Sequence, residues 1–362
     1  MSVNNKATSW IIDDTYVTSI SSLPALVSQN FTWEKVGTIN VGLDVNLFNN
    51  RLSGVFEWYQ RNTNGMLAPG VQLPAVVGAS APYQNTADMR TRGWELSLNW
   101  RDQIGKVGYR IGFNLSDYKS EIIKYDDNAA TKLLSSYYPG QTLGEIWGYV
   151  VDGYYTVDDF VDTSSWQLKE GVTSINGYNV RPGDVKFKNL RDDDTSTNVI
   201  TSGDNTFDNP GDRKVIGNTT PRYQYGINLG MNYAGFDLNV ILQGTGKRDY
   251  WISNVLTFPM NGDNFVPLFE GLSDYWMPKD PDNGDWSAVN PNAKYPRIYG
   301  NRGNSGSNLR QSDKYLSDAS YLRIKNITLS YKLPKKWVNQ IFLNQMKAFV
   351  SIENVATFTS LP

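Results

Sequence analysis

The 362-residue chain contains no cysteine and no histidine. Without cysteine there is no disulfide framework, no thiol nucleophile and no thiolate metal site. Without histidine, the usual general base and the commonest transition-metal ligand are missing. Most catalytic triads and zinc enzymes are thereby excluded. An excess of one charge is also lacking, since 34 Lys and Arg stand against 36 Asp and Glu, a formal charge of −2. A nucleic-acid binder needs a cationic face to release counterions, so no nucleic acid is expected as a partner. No uninterrupted apolar run exceeds three residues, far short of the roughly 20 that a spanning helix requires. A membrane β-barrel passes that test, because its strands alternate lipid-facing apolar with lumen-facing polar residues.

What the chain does have is aromatic side chains: 22 Tyr, 11 Trp and 14 Phe, of which Tyr and Trp are types that sit at wet interfaces and stack on ligands. Period-two alternation supplies the fold signal. Ile39, Val41, Leu43, Val45 and Leu47 oppose Thr38, Asn40, Gly42, Asp44 and Asn46. A turn at Phe48-Asn49-Asn50 then returns the chain through Leu52, Gly54, Phe56 and Trp58. The module recurs as Trp94, Leu96, Leu98 and Trp100 followed by Val107, Tyr109, Ile111, Phe113 and Leu115. It recurs again as Tyr223, Tyr225, Ile227, Leu229 and Met231 followed by Phe236, Leu238, Val240 and Leu242. Residues 321–332 and 347–354 form a fourth pair, with a slip of phase near Asn326 that predicts a bulge.

Strands of about ten residues exceed the five or six usual in globular sandwiches and match the nine to eleven needed to cross a bilayer at a tilt. Short connections at 48–50, 102–106 and 233–235 alternate with long ones at 62–91, 118–221 and 247–319, as turns and extracellular loops alternate in outer-membrane barrels. Trp58, Trp94, Trp100 and Tyr223 are then candidates for aromatic girdles. A β-sandwich remains the alternative, with the same residues in a core between two sheets.

Particular words in the chain go further. The run WEKVGTINVGLDVNLFNNRLSGVFEWYQRNTNGML (Trp33 to Leu67) resembles a strand hairpin of the SusC/RagA family of TonB-dependent outer-membrane transporters. So do RGWELSLNW (Arg92 to Trp100), GEIWGYVVDGYY (Gly144 to Tyr155), the segment Ile216 to Asp249, SDASYLRIKNITLSYKLP (Ser317 to Pro334) and SIENVATFT (Ser351 to Thr359). Their order is the family's order. The resemblance implies an all-β chain, the C-terminal part of an antiparallel outer-membrane β-barrel with long extracellular loops. It further implies import of oligosaccharides or peptides, a SusD-like surface lipoprotein over the mouth, and coupling to the TonB system through an N-terminal plug.

The chain departs from that pattern in instructive ways. It opens MSVNNKATSW, without the basic and apolar regions of a secretory signal. No plug-like stretch precedes the first strands, and the sequence stops at Ser360-Leu361-Pro362, short of the family's usual final strand. Residues 1–362 are therefore expected to be one portion of a barrel, with 118–221 as a long extracellular loop region within it. Eight clear strands, with weaker ones near 146–156 and 185–190, cannot close a wide barrel, and open edges are not tolerated in lipid.

Candidate sites fall in the loops. Trp147, Tyr149, Tyr154, Tyr155 and Trp166 could stack on sugar rings or pack against a lid protein; anchoring of the loop is the competing reading. Trp251, Tyr275, Trp276 and Trp286 in the last long loop stand in the same position. Six Asp lie between 192 and 212, oxygen ligands suited to a hard cation such as calcium. In many members of the resembled family an EF-hand-like pattern occupies this loop. Laid on it, Asn189 takes the first ligand position, Arg191 the second and Asp193 the third, while Asp194 replaces the turn glycine. An Arg among the ligands and the lost Gly weaken that site, leaving a solvated acidic loop as the alternative; no other cofactor is expected. Glycosidases need only two carboxylates, and Glu34, Glu57, Glu95 or Glu121 could be nominated. Nothing pairs any two of them, Glu57 and Glu95 are expected on a polar lumen face, and no enzyme is expected. A soluble extracellular glycan-binding β-sandwich module is the second reading of function.

Overall fold

The computed structural model describes the chain apart from residues 1–4, 7–9, 13, 14, 18, 19, 22–25, 29–31, 72, 75, 77–80, 129, 130, 135, 136, 192–197, 253–269, 300–305, 341 and 362. Eight long strands form one antiparallel sheet in which each neighbours its successor in sequence. They are β1 (Lys35–Leu47), β2 (Leu52–Pro69), β3 (Tyr83–Ile104), β4 (Val107–Tyr125), β5 (Arg222–Tyr233), β6 (Phe236–Lys247), β7 (Tyr321–Lys332) and β8 (Lys347–Thr359). These are the eight strands that the alternation marks. Among the described residues β1 and β8 each have a single neighbour in the sheet, so the sheet is open.

Three of the strands run longer than the alternation suggests. β2 has 18 residues, β3 has 22 and β4 has 19, so the connection expected at 62–91 shrinks to 70–82, and β4 enters the region expected as loop from 118. Beyond Trp58 the same face of β2 carries Gln60, Asn62 and Asn64, and before Trp94 that of β3 carries Arg92 and Arg90. The hydrophobic alternation ends there, but the backbone ladder does not. Trp58 and Trp94 accordingly lie within strands, at the limit of their apolar stretch. The bulge sits where the phase slips: Lys325 is the extra residue between Ile324 and Asn326 in the pairing with β6. It restores Ile324 and Leu322 to the face already used by Ile327 and Leu329.

The chain divides into two compact units. One comprises residues 1–40, 59–92 and 119–142, the outer lengths of β2, β3 and β4 with the segments attached to them. Its buried residues include Ile122, Leu133 and Tyr138, and the Asn128 amide donates to the carbonyls of Lys132 and Tyr137. The other comprises 41–58, 93–118 and 143–362 and holds most of the sheet together with the two longest connections.

Within that second unit the sheet has two unlike faces. Val41, Leu43, Ile111, Leu229, Met231, Leu329, Val350 and Ile352 are all exposed, Val350 at 68% and Val41 at 61%. The opposite face is polar. There Arg110 lies across Gly230, where any side chain would collide with it, and donates to Asp237 at 3.3 Å and Asn239 at 3.3 Å. Aromatic residues mark the limits of the apolar face. Towards the short turns, Phe48 meets Trp100 at 6.0 Å, Trp100 Nε1 donates to Tyr109 Oη at 3.2 Å, and Phe236 meets Tyr331 at 4.5 Å. At the far limit stand Trp58, Trp94 stacked on Phe56 at 6.4 Å, and Tyr223. From Tyr223 to Tyr233 the strand advances about 33 Å at ~3.3 Å per residue. At a tilt near 40° that is a band of about 25 Å, the height of the apolar belt of an outer-membrane barrel.

Candidate functional site

The two longest connections, 126–221 and 248–320, fold largely on themselves. In the first, Glu145–Tyr149 pairs with Arg213–Asn218, Val151–Tyr154 with Val185–Phe187, and Ser174–Ile175 with Val199–Ile200. Tyr149, Tyr155, Phe160, Ile175, Val180, Val185, Phe187 and Ile200 close a core between these short ladders. In the second, Leu272, Tyr295 and Tyr315 are buried together.

A seam of directed bonds joins the two. Tyr149 N–H donates to Gln311 O at 2.9 Å, Val151 N–H to Asp313 Oδ1 at 2.9 Å and Arg297 N–H to Gly183 O at 2.9 Å. Its centre is Asp184, 1% exposed. The carboxylate accepts from Arg181 N–H at 2.8 Å, Tyr299 Oη at 2.8 Å and Asn308 Nδ2 at 2.9 Å. Asn308 Oδ1 in turn accepts from Val185 N–H at 2.8 Å. Burial pushes the Asp184 carboxyl up to about 6, against the pull of its three donors and of Arg297.

Asp184 went unremarked in the sequence, although a signal exists: Arg181-Pro182-Gly183-Asp184 recurs as Asn209-Pro210-Gly211-Asp212. In both, the glycine has positive φ, 89° and 62°, and the aspartate is buried. Asp212 accepts from the N–H groups of Leu190, Arg191 and Thr201 at 2.9, 3.4 and 2.7 Å. Backbone donors thus take the place that a cation would fill in an acidic loop. Asn189, nominated as a calcium ligand, accepts from Arg191 N–H at 3.2 Å and donates to Asn198 Oδ1 at 3.2 Å. Arg191 points its guanidinium at Asp208 O, 3.0 Å away. Asp193 and Asp194 lie outside the described residues.

The aromatic candidates separate. Tyr155 is fully buried and donates to Thr173 O at 2.6 Å. Tyr149 and Trp147 are also buried, against Phe187 at 5.3 Å and Phe207 at 6.4 Å. Those three rings are committed to the loops' own packing. Tyr154 is half-buried, donating to Ala293 O at 2.9 Å beneath Lys314 Nζ, 4.5 Å from its ring. Trp166, also half-buried, stands edge to face with Trp286 at 5.0 Å, which brings together one candidate from each long connection. In the last loop Trp276 is buried, and Tyr275 and Trp251 pack against the buried Leu272, Tyr295 and Tyr315. Glu57 and Glu95 line one cleft of about 250 Å³ on the polar face of the sheet, with Asn114 and Gln224, where the alternation puts them.

An eight-stranded antiparallel meander with an apolar outer face, two aromatic limits and folded long loops defines the class: outer-membrane β-barrel wall. No family model matches the chain. Among curated proteins it is 27% identical over 355 residues to the TonB-dependent receptor P3 of Formosa agariphila, covering 94% of this chain and 31% of that protein. It is 24% identical over 350 residues to the TonB-dependent receptor SusC of Bacteroides thetaiotaomicron, covering 94% of this chain and 30% of SusC. Among solved structures the RagAB peptide importer in its closed-closed state superposes with a TM-score of 0.70 at 21% identity, over 99% of this chain and 35% of that one. The chain therefore spans about a third of the length of the proteins it matches. It is SusC/RagA-like along nearly all its length, and those relatives are outer-membrane receptors and transporters, not enzymes.

Proposed function

We propose that the chain supplies part of the barrel wall and the principal extracellular loops of a TonB-dependent importer of oligosaccharides or peptides. The carrying observation is the exposed apolar face of the sheet between its two aromatic rows. A sandwich would bury those residues under a second sheet, and among the described residues no second sheet of comparable strands exists. Lipid is the medium that such a face fits, and further strands of the same importer would pair with β1 and β8. A SusD-like lipoprotein over the loops and coupling to TonB through a plug complete the reading. The likeness to the TonB-dependent receptor SusC and to the RagAB peptide importer supports both. Cargo would meet the half-buried Tyr154, Trp166 and Trp286, with the buried Trp147, Tyr149 and Tyr155 holding the loops in shape. Calcium in the 189–194 loop belongs to the same proposal.

The absence of native cysteine makes the test clean. Single cysteines at 110 to 115 of β4, carrying a fluorophore in proteoliposomes, are expected to be quenched by a lipid-phase nitroxide at 111, 113 and 115 only. Uniform quenching, or a monodisperse chain in detergent-free buffer, would favour the soluble module.

A further inference from the structure

At the turn end of the sheet the connections 48–51, 105–106 and 234–235 are tight. The connection from β7 to β8, 333–346, is longer and carries a single helical turn, Lys335–Asn339. Buried Val338 roots it, and Leu333 N–H donates to Met346 O at 3.0 Å. That bond adds a rung beyond Tyr331 opposite Ala348 and Lys332 opposite Lys347. By parity Leu333 and Met346 carry on the apolar face of Ile327, Leu329 and Tyr331. The apolar surface therefore does not stop at the last aromatic pair, Phe236 with Tyr331. It runs on into exposed Trp337, Leu343 and Phe342, the last at 98%. Phe342 has a φ of 59°, a left-handed backbone that bulky residues rarely adopt, so the chain holds this ring outwards at a strain.

The charge of the same stretch has one sign. Lys332, Lys335, Lys336 and Lys347 are all exposed, and no Asp or Glu occurs between Asp318 and Glu353. Lys332 stands directly opposite Lys347, an arrangement that destabilises a ladder unless something anionic offsets it. Asp237, opposite Ser330, is taken by Arg110. None of the four lysines belongs to an ion pair among the described residues. Exposed rings beside lysines suit a headgroup layer, where rings reach the acyl boundary and ammonium groups meet phosphates. Short turns lie on the periplasmic side of an outer-membrane barrel. We propose that the 333–346 connection docks in the periplasmic leaflet, with Trp337 and Phe342 at the acyl boundary and Lys335 and Lys336 on the phosphates of anionic phospholipid. Lys332 and Lys347 add to the attracting field. This rests on the barrel-wall reading and adds a lipid-selective surface to it.

The test places the full chain in nanodiscs of phosphatidylethanolamine with phosphatidylglycerol, or of phosphatidylcholine alone. Phe342→Cys carries a fluorophore, and no native thiol competes. Quenching by a phospholipid with a nitroxide near its headgroup is expected to be at least about twofold stronger in the anionic discs. The gap is expected to narrow at high salt and to close when Lys335→Gln and Lys336→Gln are combined. Equal nitroxide quenching in both discs overturns the proposal, as does free access of aqueous iodide in both. A label shielded from both quenchers shows that protein covers the ring, and overturns it too. Hydrogen exchange of amides 335–346 in the unaltered chain decides the matter if the labelled variant fails to fold. It is expected to be slower in the anionic discs, and equal rates overturn the proposal. The quenching pattern at 111, 113 and 115, read in the same discs, separates the two readings. If it holds while position 342 stays in water, only the docking surface falls; if it is lost, the barrel wall falls and the docking surface with it.

Discussion

The sheet and the loops of this chain turn the same residue types in opposite directions. Along β1 and β5, Val41, Leu43, Leu229 and Met231 are exposed, whereas in the 143–218 loop Tyr155, Val185, Phe187 and Ile200 are almost wholly buried. Burial therefore does not measure apolarity here; it measures which solvent each region meets. In the loops, water drives apolar side chains inwards. On the sheet, the apolar side chains are turned outwards, as a lipid medium would have them, and the polar ones, such as Arg110 with Asp237, meet each other. The loops also spend buried polar groups on directed bonds, at Asp184 and Asp212, where the sheet relies on its backbone ladder.

That contrast can be broken most strongly in the loops. Phe187→Ala removes a fully buried ring and is expected to cost ~3–5 kcal/mol, read as faster hydrogen exchange across 145–218 with β5 and β6 unchanged. On the sheet, Leu229→Arg sets a charge against lipid, and a loss of ~2–4 kcal/mol is expected in urea unfolding from micelles. Asn228→Arg, one residue away on the polar face, is expected to change stability by less than about 0.5 kcal/mol. Equal effects of the two Arg substitutions would erase the distinction between the faces.

A pH titration sharpens the comparison at a smaller scale. The folded Asp184 carboxyl keeps its proton up to about 6, against an ordinary value of 3.8, so between those limits the folded loops bind more protons than the unfolded chain. Their stability is therefore expected to rise as pH falls from about 6 to about 4. Exchange protection of the seam residues measures this, and Asp184→Asn should abolish it. The smallest effect is expected at the turn end of the sheet. There Arg51 and Asp102 form an exposed ion pair at 3.2 Å, and Arg51→Ala should cost ~0.2–1 kcal/mol in the same urea assay.

The outer-face strands, the two turns that carry positive φ at Asn49 and Gly235, and the bulge beside Asn326 are determined by the sequence alone. Period two, strand length and turn chemistry are local, and a residue's face follows from its parity along the strand. The limits of β2, β3 and β4 are not local in that sense, because a ladder persists on backbone pairing after the side chains stop alternating. Nor are the loops: Asp184 reaches Tyr299 and Asn308 across more than a hundred residues, and Trp166 meets Trp286 from the other long connection. No periodicity announces such contacts. Which aromatic rings are packed away and which stay half-open is decided only when two distant segments close over one another.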